Sequence, residues 1–318
     1  MSQTLISLIT GVVLVLMLFI VGGVLTWVER RLLGLWQDRY GPNRAGPGGV
    51  LQVFADILKL LTKEDWIPKF ADRPVFVLAP IIMVVAVALG FAVVVFTPHI
   101  YVVDLNIGLL FFLAMSSMAV YGIALAGWAS NNKYSLIGGI RAVAQMISYE
   151  VFMGIALMGV VIISGSFSLG DIVRAQHGLW YIVFQPVGFV IFLIAGLAET
   201  RRVPFDIPEA ETEIVAGFHT EYSGMKFALF FLSEYMGMSL NAALIVVLYF
   251  GGWLGPVLPP IVWFVVKMGI VIAFFILVRA ALPRYRYDQL MDLGWKILLP
   301  LSLANLVVTG AVVLLVGK

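Results

Sequence analysis

A chain of 318 residues that is 62% hydrophobic and 12% charged, with a mean hydropathy of +1.04, is excluded from the water-soluble globular proteins; its solvent is lipid. A formal charge of +2 excludes little, but the lack of cysteine rules out a disulfide framework, a cysteine-held iron–sulfur cluster and a thiolate zinc site within the chain. Crossing a hydrocarbon core of about 30 Å takes roughly 18 to 25 apolar residues. The sequence predicts eight such spans, at about 5–28, 75–97, 105–129, 142–164, 182–199, 226–250, 261–282 and 295–316. The expected fold is therefore an all-α polytopic membrane protein, a single domain over residues 1–318.

The first span lacks a basic leader and runs into Glu29-Arg30-Arg31 without a small-residue cleavage site, so it is expected to stay as a helix. In the long loop that follows, the Gly41-Pro42-Asn43-Arg44 and Gly46-Pro47-Gly48-Gly49 run has no Lys-Ser/Thr and follows no strand. It reads as tight turns, not a phosphate loop, and nothing in the chain points to a nucleic acid. Residues 49–63 predict a short amphipathic helix. At 100° per residue, Gln52, Asp56, Lys59 and Lys63 fall in a polar stripe about 60° wide, with Val50, Val53, Phe54, Ile57, Leu58, Leu60 and Leu61 around the rest. Two readings are open: a helix lying in the membrane interface with its charges in water, or one whose Asp56 and Lys59 face a polar cavity.

Seventeen of the twenty Lys and Arg residues lie in or just beside the alternate gaps 29–74, 130–141, 200–225 and 283–294. The positive-inside rule places these gaps on the cytoplasmic side and both termini on the outer one. Glu150 and Glu234 each lie eight residues beyond the start of a predicted span, roughly 12 Å deep at 1.5 Å per residue. A charge there is unfavourable by about 3 kcal/mol on insertion scales, which makes both functional candidates and possible neighbours. Glu29 and Glu199 close the cytoplasmic ends of the first and fifth spans. The loop at about 200–225 holds Asp206, Glu209, Glu211, Glu213 and Glu221. These acids either complement a helix dipole opened by Pro208 or form a negatively charged entrance leading toward Glu150 and Glu234. Lys267, inside the seventh span, reads as a proton-path member or counter-ion, with outward snorkelling as the alternative. His99, His177 and His219 are isolated in sequence and suggest no metal site.

Glu29-Arg-Arg-Leu-Leu-Gly, Asp38-Arg-Tyr-Gly-Pro-Asn-Arg44, Ala198-Glu-Thr-Arg-Arg-Val-Pro-Phe-Asp206, Glu209-Ala-Glu-Thr-Glu213, Glu221-Tyr-Ser-Gly-Met-Lys-Phe227 and Arg279-Ala-Ala-Leu-Pro-Arg-Tyr-Arg-Tyr-Asp-Gln289 resemble, in order and over essentially the whole chain, the H subunits of bacterial proton-translocating NADH:quinone oxidoreductases, equivalent to mitochondrial complex I subunit 1. The resemblance implies a subunit of the bacterial inner membrane, docked with the other complex I membrane subunits and under the soluble arm. There a partner carries the terminal iron–sulfur cluster and the quinone-headgroup site. It implies quinone as substrate and no flavin, iron–sulfur cluster or metal in this chain, which is not catalytic in isolation. By motif, Glu29, Arg30 and Asp56 would line the quinone-access tunnel. Glu150, Glu199, Glu209, Glu211, Glu213, Glu221 and Glu234, with Lys267, would form the first part of a proton pathway.

Three other functions compete. A stand-alone secondary transporter also uses buried Glu and Lys, but no inverted repeat is visible here. The membrane anchor of an energy-converting hydrogenase or formate hydrogenlyase shares the fold and uses no quinone; the intact Arg-Tyr-Gly-Pro-Asn segment and the acidic loop favour the quinone enzyme. A purely structural scaffold would not explain the membrane acids.

Overall fold

The computed structural model describes residues 3–207 and 217–316, with side chains from residue 9 onward. Its elements in order are α1 (Gln3–Trp36), α2 (Gln52–Thr62), α3 (Arg73–Ala92), α4 (Gly108–Ala129), α5 (Lys133–Ser164), α6 (Leu169–Ala175), α7 (Tyr181–Phe184), α8 (Pro186–Glu199), α9 (Gly224–Tyr249), α10 (Pro260–Ala281), α11 (Tyr287–Asp292) and α12 (Leu299–Val316). Among the described residues the only β pairing is an isolated bridge between Thr97 and Ile100.

Seven helices among the described residues are long and apolar enough to cross a membrane: α1, α3, α4, α5, α9, α10 and the run Tyr287–Val316 that joins α11 to α12. The expected span at 182–199 is not one such helix. Pro186 has no N–H to continue a helix and disfavours helical geometry in the residue before it. Gln185 accordingly sits at φ −128°, ψ 51°, leaving a four-residue α7 and a 14-residue α8. At the break the Gln185 side chain donates to Thr309 Oγ1 at 2.6 Å and accepts from Asn305 Nδ2 at 2.7 Å, so α12 satisfies this buried amide.

Other boundaries move as well. α1 continues to Trp36, past the expected end at 28, because Glu29 faces partners inside the protein and Arg30, on the surface, pairs with Asp56 of α2. α5 begins at Lys133 instead of 142, where Asn132 Oδ1 accepts from Tyr134 N at 3.0 Å and caps the first turn. Glu150 and Glu234 therefore stand at different distances from their helix starts. Pro300 cannot bond the carbonyl four residues back, and π-helical turns at Leu293–Leu298 directly precede it.

α9 is the hub. Every residue from Met238 to Tyr249 is buried, as suits a helix that is apolar all round, and α9 packs against α1, α3, α8 and α10. α3 and α4 approach closely at Gly122, where a Cβ would lie 2.5 Å from Met83 Cγ and 3.0 Å from the Ala79 carbonyl. A smaller core beside them stacks Phe76 on Tyr222, ring centroids 3.9 Å apart. This packing brings the ends of α1, α8, α9 and α10 to one place.

Candidate functional site

At that convergence lies a buried ionic network. Glu29, on α1, has a side chain 2% exposed; its Oε2 accepts from Arg202 Nη1 and its Oε1 from Arg279 Nη1 of α10. Arg202, in the turn after α8, also places Nε 2.6 Å from Glu234 Oε1 of α9, and its guanidinium lies 4.4 Å over the Tyr235 ring. Two carboxylates thus meet two guanidiniums. Buried charges persist only when paired in this way, and charge-assisted hydrogen bonds of this kind are the strong ones. A cavity of ≈ 60 Å³ opens beside Arg202, Glu234 and Arg279, and Asp206 and His219 line it as well. One water needs about 10–15 Å³, so there is room for several.

Three residues before Arg202, at the end of the same helix, a second cluster begins. Glu199 accepts from Ser116 Oγ at one oxygen and from Asn241 Nδ2 at the other, the latter at 3.4 Å. The next residue of α4, Ser117, bonds Glu150 of α5 and also reaches the Leu113 carbonyl at 3.1 Å. A hydroxyl has one proton to donate. Ser117 therefore has two acceptors within reach, and it can donate to Glu150 when that group is ionised or receive from it when it is protonated. Adjacent serines on one helix hold the two membrane carboxyls.

Other residues named by the sequence occupy the periphery. Arg30 turns away from Glu29 and pairs with Asp56 of α2 at 2.7 Å, while Gln52 donates to the same carboxylate at 3.1 Å and Lys59 stands 3.8 Å off. Trp27 Nε1 donates to the Gly48 carbonyl at 3.1 Å, giving α1 and the α2 loop a second tie. Asp206 pairs with Arg284 at 2.9 Å; burial pushes its carboxyl above the usual range, although Arg284 pulls the other way. Glu221 accepts from Asn132 Nδ2 at 2.6 Å and so joins the acidic loop to the cap of α5. Glu209, Glu211 and Glu213 lie outside the described residues.

The structure thus places Glu150 with Glu199 and Glu234 with Glu29, instead of pairing Glu150 with Glu234 directly. The expectation for Lys267 also meets a different geometry. Its ammonium donates to three backbone carbonyls, those of Phe250, Gly252 and Leu254, and among the described residues it has no carboxylate partner. Sequence reasoning passed over Ser116, Ser117 and Asn241, although a serine pair in mid-span is itself a polar anomaly in hydrocarbon. It also gives Arg202 no role beyond its share in the basic charge of the 200–225 gap. Among the described residues no group of three or more His, Asp or Glu is arranged to hold a metal ion.

Comparison with known proteins adds two findings. Residues 9–310 match the family profile described as NADH dehydrogenase. The chain is also 63% identical over 294 residues to the H subunit of the NADH-quinone oxidoreductase of Methylococcus capsulatus, an alignment that covers 92% of this chain and 93% of the relative.

Proposed function

The chain belongs to the NADH dehydrogenase family, and on that premise we propose that it is the membrane subunit of a proton-translocating NADH:quinone oxidoreductase that forms much of the quinone tunnel and the first part of its proton path. One observation carries this reading: Arg202 ties Glu29 to Glu234, and the same turn presents Glu199, whose serine neighbour holds Glu150. Ionisable groups therefore run in series from the foot of α1 into the α4–α5 pair.

The tunnel lies where α1 meets α2, with Glu29, Arg30 and Asp56 as its polar lining. The exposed Phe54, Ile57, Leu58 and Leu61 of α2 offer the apolar wall that an isoprenoid tail needs. Quinone accepts two electrons and two protons; the electrons come from a partner's cluster, since this chain has no cysteine to hold one. Negative charge developing near the tunnel end draws on the guanidiniums of Arg279 and Arg202. As Arg202 loosens from Glu234, that carboxylate takes up a proton through the cavity beside it. The change in charge is then felt at Glu199 and Glu150, whose protonation is coupled by proximity to a shared serine pair. Glu221 and the loop acids Glu209, Glu211 and Glu213 feed this series from the aqueous side. Lys267 takes no part, because its three protons are committed to carbonyls.

In the same proposal residues 1–318 form a single domain in the inner membrane. The short α7 and α8 together make the eighth crossing, held by Asn305 and Thr309, and α2 lies along the cytoplasmic interface. Both termini face outward, and the basic loops dock the other membrane subunits and the soluble arm. Replacing Glu150 or Glu234 by Gln in the assembled complex is expected to depress quinone-linked proton pumping roughly a hundredfold or more, the scale on which removal of a proton-transfer group acts. NADH oxidation by an artificial acceptor at the soluble arm stays unchanged. Wild-type coupling in both variants would remove the path assignment.

A further inference from the structure

The last carbonyls of α9 have no helical N–H to bond. Gly251 and Gly252 follow at φ 68° and 51°, a left-handed geometry open to glycine at little strain, and they turn the chain back on itself. The carbonyls of Phe250, Gly252 and Leu254 then converge on one point. Lys267 Nζ stands at that point, 2.7, 3.0 and 2.6 Å from them. The Trp180 and Trp263 rings flank it with centroids 4.5 and 5.8 Å away, and the residue is 6% exposed. From the other side Gln176 braces the same turn, accepting from Gly251 N at 3.0 Å and donating to the Val247 carbonyl at 2.8 Å. Nothing in the sequence flanking Lys267 announces this arrangement.

We infer that this is a binding site for a desolvated monovalent cation, built from backbone carbonyls and indole faces, which carries its own tethered cation in Lys267 and serves to fix the end of α9. Carbonyl oxygens grouped in this way replace a cation's hydration shell, and aromatic faces add to the attraction. Every ammonium proton is used, so the group has none to offer a relay. α9 also carries Glu234, so the site fixes the position of the hub helix from the end opposite the ionic network. The inference does not rest on the proton-path reading, and a stability readout keeps the two apart.

Cutting the tether and leaving the cage makes a place for a soluble ion of similar size. In the complete enzyme complex Lys267→Ala is expected to melt several degrees lower than wild type in choline chloride and to recover in potassium chloride or ammonium chloride of equal ionic strength, while wild type melts alike in all three. Equal melting of the variant in every salt overturns the proposal. Rescue by ammonium without potassium also overturns it, in favour of a proton-donating lysine. If Lys267→Ala does not assemble, Lys267→Met and Lys267→Arg decide. The site requires loss of assembly with Met and assembly with Arg; a normally assembled Met variant or a lost Arg variant contradicts it.

Discussion

Arg202 carries more of the site than any single acid, because one guanidinium serves Glu29 through Nη1 and Glu234 through Nε while resting on Tyr235. Removing it takes the Nη1 partner from the buried Glu29, leaving only Arg279 on that carboxylate, and the Nε partner from Glu234; breaking a buried pair by deleting one partner destabilises by about 3–5 kcal/mol. Arg202→Met is therefore expected to reduce the amount of assembled complex on native gels and to lower its melting temperature. Arg202→Lys, which offers a compact point charge in place of a planar fork, should fall between the two. An Arg202→Met complex that assembles and melts like wild type would mean that the carboxylates are held some other way. The role of Arg202 was hidden in the sequence because an arginine at the end of an apolar stretch is the ordinary boundary residue. Only tertiary packing turns it inward. Glu150 and Glu234 were legible for the opposite reason, since an acid deep in an apolar run has no ordinary explanation.

The helices themselves were legible wherever an uninterrupted apolar stretch exceeds the hydrocarbon thickness, as in α3, α4, α9 and α10. Their ends were not, because α1 and α5 are prolonged by side chains that find partners far along the chain: Glu29 with Arg202 and Arg279, Asn132 with Glu221. The break before α8 is a mixed case. Pro186 gives a local signal for it, yet the Asn305 and Thr309 that make the break tolerable lie more than a hundred residues away. Because α12 satisfies the buried side-chain amide at the break, Asn305→Leu leaves Gln185 Oε1 without its donor. An unsatisfied buried acceptor is unfavourable by about 1–3 kcal/mol. The expected result is a lower melting temperature for the complex, with Asn305→Gln, which keeps an amide donor, closer to wild type. Unchanged melting of the Leu variant would show that the break is stabilised elsewhere.

At the scale of the whole molecule, the lack of cysteine makes orientation directly measurable, since a single introduced thiol is the only one in the chain. With the complex in sealed vesicles, a membrane-impermeant maleimide applied from the outer side is expected to label Gly178→Cys, in the exposed turn between α6 and α7, and to spare Lys133→Cys at the start of α5. Labelling in the reverse pattern would invert the proposed topology. The larger claim is that the buried acids form one coupled series, running from the network around Arg202 through Glu199 to Glu150, and Glu199 is the link between its two halves. The most direct test is the number of protons moved per electron by the reconstituted complex carrying Glu199→Gln, with the NADH-to-artificial-acceptor rate as control. The series predicts a ratio well below wild type with the control rate unchanged; a wild-type ratio in that variant would contradict it.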